Sequence, residues 1–109
     1  WDFESESFAK TGLQFCGLMM GDHSKCGIST MFNTGTVVGV CVNVFGSGFP
    51  RNYIPSFSWG GSQGFSTNLT KKAFEVAKAV FKRRGLDFTE QEARILKSIF
   101  ENTKGLRTV

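Results

Sequence analysis

Every sixth residue from Met20 is apolar: Met20, Cys26, Phe32, Val38 and Val44. The residue after each is Gly21, Gly27, Asn33, Gly39 and Phe45, so four of the five are Gly or Asn, which tolerate positive φ. Four positions on from the first three come Ser24, Thr30 and Thr36, all small. This period of six is the hexapeptide pattern of a β-helix, in which three short strand-and-corner units make one triangular coil of about 18 residues. The apolar residue points inward, the small one fits the crowded corner, and Gly or Asn makes the bend. An α-helix would need a period of 3.6 and would not accept Gly so often. The period of two expected of ordinary paired strands is present only locally, at Val38, Val40, Val42 and Val44.

The period fails after Val44. Residues 45–61 (FGSGFPRNYIPSFSWGG) are rich in Gly, Pro and aromatics. They read as an extended excursion that caps an open solenoid end, whose bare strand edges would otherwise invite aggregation. Two amphipathic helices follow. Leu69, Ala73, Val76, Ala77, Val80 and Phe81 share one face of the first, with Thr67 or Asn68 as its cap and Gly85 as its stop. Thr89 and Glu92 make a capping box for the second, Ile95, Leu96, Ile99 and Phe100 form its stripe, and Gly105 ends it. The short link at 85–88 implies an antiparallel pair. The expected fold is therefore mainly β: a short single-stranded left-handed β-helix with a C-terminal antiparallel helical hairpin. Residues 1–16 would be an N-terminal arm or strand, 17–61 the coils and aromatic cap, and 62–109 the hairpin.

Composition narrows the class. A chain of 109 residues with 40% hydrophobic content is one domain with enough apolar matter for a core. No apolar run approaches the roughly 20 residues that span a bilayer, no signal peptide is visible, and the start at Trp1 without Met reads as a processed or excerpted chain. Three cysteines with no CxxC argue against a disulfide scaffold or a zinc site and for free thiols in a reducing cytoplasm. Residues 1–68 hold three basic and four acidic side chains, and residues 69–109 hold ten and five, so the excess positive charge lies in the helical part.

The run GLMMGDHSKCGISTMFNTGTVVG (17–39), the aromatic stretch 45–61 and the helical AFEVAKAVFKRRG (73–85) together resemble the C-terminal region of bacterial sugar-1-phosphate nucleotidyltransferases. These are similar to the bifunctional N-acetylglucosamine-1-phosphate uridyltransferase/glucosamine-1-phosphate acetyltransferase. The resemblance covers nearly the whole chain. It implies an N-terminal nucleotidyltransferase domain in the full-length protein, a sugar phosphate substrate, a homotrimer, and acetyl-CoA held between neighbouring subunits. It also implies that the catalytic coil precedes Trp1, so the enzyme's chemistry would be incomplete here. Consistent with that, neither GxGxxG nor GxxxxGK[ST] occurs.

Within this frame, Lys25 and Arg51 are candidates for the phosphates of coenzyme A, against the plainer reading of solvated surface charge. Gly27, Ser29, Asn33 and Gly39 fall where relatives line the cofactor groove, largely through backbone; Asn33 is equally a corner residue. His23, the single histidine, is an outside candidate for an acetyl-transfer base, although the resemblance places it after the catalytic His. Asp22 alone makes no metal site. Thr34-Gly35-Thr36 suits a tight corner better than a phosphate nest. The aromatics Phe45, Phe49, Tyr53, Phe57 and Trp59 suit a packed cap better than base stacking. Lys71, Lys72, Lys78, Lys82, Arg83 and Arg84 read as a solvated helix face, and neither nucleic acid nor membrane is an expected partner. The main alternative is an oligomerisation and capping module that binds no cofactor. Because fewer than two coils fit between Met20 and Val44, the module is expected to need partners.

Overall fold

The computed structural model describes residues 1–107. Seven short strands precede two helices: β1 (Leu18–Met20), β2 (Lys25–Cys26), β3 (Thr36–Val38), β4 (Asn43–Val44), β5 (Tyr53–Ile54), β6 (Ser58–Gly61), β7 (Gly64–Thr67), α1 (Thr70–Arg83) and α2 (Glu90–Asn102). The chain makes three similar passes. In each, a strand of one sheet is followed by a corner and a strand of the other. The first sheet has the order β1-β3-β5 and is parallel, and the second has the order β2-β4-β6-β7, with β7 antiparallel at its edge.

Register ties the passes together. Met20 stands beside Val38, and Val38 beside Ile54. Lys25 stands beside Asn43, and Asn43 beside Trp59. The first two passes are therefore offset by 18 residues and the next two by 16. The slip of two explains why the six-residue pattern vanishes after Val44 even though the chain goes on pairing. Residues 45–61 are not an excursion laid over the end: they carry β5 and β6, and Tyr53, Ile54 and Phe57 are among the most buried side chains of the protein.

The corners repeat as well. His23, Cys41 and Phe57 occupy equivalent turns between the two sheets, and all three are left-handed, at φ 62, 56 and 60°. Their amides reach across to the preceding pass or turn, Cys41 N–H donating to Asp22 O at 3.0 Å and Phe57 N–H to Val40 O at 2.8 Å. A left-handed turn at a bulky residue persists only where surrounding packing over-determines it. Here Phe57 is fully buried, edge-on to Phe100 at 5.1 Å. Gly21 and Gly39 do not supply the positive φ. They are needed because passes approach closely: a Cβ on Gly21 would lie 2.7 Å from Gly39 O, and one on Gly39 would lie 2.5 Å from Ser56 N. Ser24 closes the same corner, its hydroxyl donating to Gly39 O at 2.6 Å and accepting from Val42 N–H at 3.0 Å.

Two cores result. Val38, Val42, Val44 and Ile54 pack together with Phe32 and Phe65 against them. Cys41, Phe57, Ala73 and Leu96 form the second, joined by Phe74, Phe88, Ile99 and Phe100. Each helix docks its own face on this second core. Arg107 fastens the end of the chain to it, donating to Ser56 O at 3.1 Å and Phe100 O at 2.7 Å, with its guanidinium 4.3 Å from the centre of the Phe100 ring.

The expectation of a mainly β, single-stranded left-handed β-helix with an antiparallel helical hairpin is corrected by this architecture. The strands are two to four residues long and divide into two small sheets, one of them mixed, with no closed or solenoid sheet. Between passes, residues 27–35 and 45–52 run as turns without a ladder, so no third sheet closes the structure. The two helices, of 14 and 13 residues, outweigh the strands. They do not pack along their lengths as a hairpin; the link between them folds back on the first helix, where Phe88 contacts Phe74 and Phe81. The physical reason is that Cys41 and Phe57 offer each helix a deeper apolar seat than the helices offer each other. Thr67 and Asn68 are not the cap of α1 either. Leu69 stands there without a side-chain bond, Thr67 ends β7, and the Asn68 amide donates to Cys41 O at 2.9 Å. Thr89 does cap α2, accepting from Glu92 N–H at 3.2 Å. That helix ends at Asn102, before Gly105. The face of α1 is rotated from the expected one, with Ala73, Phe74 and Ala77 inward and Leu69 and Val76 exposed.

Candidate functional site

Register places Lys25, Asn43 and Trp59 side by side on β2, β4 and β6. The start of α1 lies across from them, bringing Asn68 and Lys72 to the other wall. Between these elements is a groove of about 230 Å³, into which His23 also faces from its corner. Lys25 is half-buried and its ammonium donates to His23 O at 3.2 Å. The His23 ring leans on Phe81, 5.4 Å between centres, and no side chain among the described residues hydrogen-bonds it. Trp59 is 47% exposed, a large indole surface left open to the groove.

The electrostatics favour an anion and disfavour nucleophilic chemistry. Two lysines line the groove. From α1 the wall is formed by Lys72, Ala73 and Val76, and the first turn of the helix carries no acidic residue to offset the lysine. Cys41 at the groove floor is buried, and burial pushes its thiol up to about 11, with Lys25 opposing the shift and Asp22 adding to it. A thiol held protonated there is not a nucleophile at neutral pH. Among the described residues no carboxylate hydrogen-bonds the His23 ring to orient it as a base. Among the described residues no group of three or more His, Cys, Asp or Glu is arranged to hold a metal ion.

Of the residues singled out in the sequence, the groove gathers His23 and Lys25. The others are dispersed. Gly27 follows β2 beside Phe45, where an added Cβ would meet only ordinary contact at 3.7 Å. Ser29 is an exposed left-handed corner at φ 63°. Asn33 donates to the Asn52 side chain at 3.4 Å. Gly39 is buried under Ser56. Arg51 is exposed, its guanidinium 6.0 Å from the centre of the Phe65 ring, and it lines a different cavity with Trp1 and Tyr53. The groove also uses Trp59, Lys72 and Asn68, which the sequence suggested as cap aromatic, solvated charge and helix cap. A 16-residue alignment of the second and third passes would have found Trp59; nothing in the sequence marks Lys72 apart from its neighbours.

The chain matches no known family model, no curated protein and no solved structure. Among the described residues no helix is long and apolar enough to cross a membrane.

Proposed function

We propose that the chain is the C-terminal module of a sugar-1-phosphate nucleotidyltransferase/acyltransferase-like protein, and that its groove holds the phosphorylated part of an acyl-CoA carrier. One observation carries the reading: Lys25, Lys72 and the half-exposed Trp59 converge on a single groove. Ammonium groups are suited to phosphate oxygens, and an indole is suited to a planar base or an alkyl arm. The groove binds and orients; it supplies no base or nucleophile of its own, and acyl or nucleotidyl transfer belongs to the protein's other residues. The module assembles as a homotrimer. Leu18, Met19 and Met20 on the free edge of the first sheet are exposed, with Phe15 and Ile28 nearby in sequence at 80% and 101%, an amount of apolar surface that favours assembly. Its three free cysteines suit a reducing cytoplasm.

Calorimetric titration of acetyl-CoA, after light scattering has fixed the mass of the assembly, tests this. Saturable binding is expected, lost with the phosphate-free acetylpantetheine and weakened about tenfold in Lys72→Ala, in keeping with roughly 1.5 kcal/mol for a hydrogen bond to a charged group. A trimer that gives no heat with acetyl-CoA would leave the second reading, an oligomerisation module without a cofactor. The small volume of the groove, below the roughly 300 Å³ at which small-molecule sites begin, favours that reading.

A further inference from the structure

We propose that the cavity between Trp59, Phe45 and the β6–β7 hairpin is a binding site for a neutral oligosaccharide. It measures about 470 Å³, within the range of small-molecule sites, and none of its lining residues is charged. Trp59 and Phe45 are 47% and 38% exposed. Their rings meet at 64° with centres 4.5 Å apart, so they stand as adjoining walls and do not stack on each other. The floor is backbone. A Cβ on Gly60 would collide with Gly64 O and one on Gly61 with Phe45 O, whereas a Cβ on Gly64 would meet only open space. The Ser62 hydroxyl donates to Ser47 O and ties the hairpin to the stretch after Phe45, which holds the cavity in shape before a ligand enters.

The polar groups around the indole are neutral and of both kinds. Register sets Asn43, Trp59 and Ser66 side by side on β4, β6 and β7, strands about 4.8 Å apart. Among the described residues the side chains of Asn43 and Gln63 have no hydrogen-bond partner, and Asn68, whose amide donates to Cys41 O, keeps its oxygen. Gln63 and Ser66 line the cavity; Asn43 and Asn68 lie across the indole, within reach of a chain of sugars seated in it. Side-chain amides both donate and accept, and so does each sugar hydroxyl. The electron-rich face of an indole attracts polarised C–H groups, which a sugar ring with equatorial hydroxyls presents on its flat faces. A proline-rich peptide would meet the same rings but brings acceptors only, leaving the amide oxygens unanswered. An anion finds no cation in the lining; Arg51, 6.0 Å from the centre of the Phe65 ring, stands outside it. The site goes beyond the acyl-CoA reading, whose lysines line the neighbouring groove and not this cavity.

Calorimetric titration of cellotriose, which has equatorial hydroxyls and no phosphate, tests this. Saturable binding at millimolar concentration or below is expected. Trp59→Ala should weaken it at least about tenfold, W59F, which keeps a ring, should weaken it less, and Gln63→Ala should weaken it about threefold, the loss of one neutral hydrogen bond. Trp59 and Gln63 are exposed, and an unchanged urea midpoint checks that these variants fold. Lys72→Ala should leave cellotriose binding unchanged. No saturable heat with cellotriose, equal affinity in Trp59→Ala, or a loss in Lys72→Ala as large as in Trp59→Ala would overturn the assignment, and so would binding of a polyproline peptide without cellotriose. The acetyl-CoA titration is read separately, since cellotriose offers the lysines no phosphate and can bind whether or not acetyl-CoA does.

Discussion

The first and third passes of the chain occupy equivalent positions and have opposite fates. Met20, Val38 and Ile54 stand in one row across β1, β3 and β5, yet they are 38%, 3% and 0% exposed. His23 and Phe57 share a left-handed corner, but one faces a groove and the other lies at the centre of the second core. Equivalent backbone does not confer equivalent burial. Both β1 and β5 are edges of their sheet, so strand pairing does not decide the difference: Ile54 packs with Val38, Val42 and Val44 in the first core, with Phe65 against them, and Met20 belongs to neither core. The row is apolar throughout because the pattern repeats; it is buried only where the side chains of the first core close over it.

The largest effect expected from this contrast is on stability. In the dissociated chain at low protein concentration, Ile54→Ala should cost about 2–5 kcal/mol in urea denaturation, while Met20→Ala should cost less than about 1 kcal/mol, because a half-open methionine leaves little cavity when truncated. A Met20→Ala cost that matches Ile54→Ala and grows with protein concentration would show that another copy covers the first pass in solution.

The close approach between passes should come next. Gly39→Ala places a methyl group 2.5 Å from Ser56 N and should destabilise by about 1–3 kcal/mol as the second and third passes are forced apart. Gly27→Ala, with nothing nearer than 3.7 Å, should change stability by no more than about 0.5 kcal/mol. Equal costs at the two glycines would mean that backbone freedom, and not spacing, is what they provide.

The smallest effect concerns the thiols. Cys41 in the second pass is buried with its pKa raised from about 9 to about 11, whereas Cys26 in the first is exposed. At pH 8 a thiol reagent should label Cys26 rapidly and Cys41 only at the rate of unfolding. The folded pKa of Cys41 is above the unfolded one, so its contribution to stability is complete below pH 9 and is lost as pH rises towards 11. Cys41→Ala should flatten that alkaline limb in thermal melts followed against pH.

Some of this could be read in the amino acids. The six-residue phase from Met20 to Val44 located residues that pair at an offset of 18. The stop at Gly85, left-handed at φ 68°, and the cap at Thr89 depend on a few neighbouring residues, and local interactions decide them. His23 and Lys25 were each legible as candidates, His23 as a base and Lys25 as a phosphate contact together with Arg51, but not as neighbours in one groove.

The tertiary structure decided what depends on distant partners. The change of offset to 16 brought Trp59 beside Asn43, and it made strands of a stretch whose Pro and Gly content suggested a loose cap. The helices turned towards Cys41 and Phe57, which a helical period cannot foretell because packing along each other would bury an apolar stripe as well. Lys72 became part of a groove when α1 settled across β4 and β6. Arg51 was separated from Lys25 and given to the Trp1–Tyr53 cavity instead. Local periodicity sets the repeat of strand and corner, since it acts through neighbouring residues; which surfaces close, and which side chains share a cavity, is set by packing between segments that lie far apart in the chain.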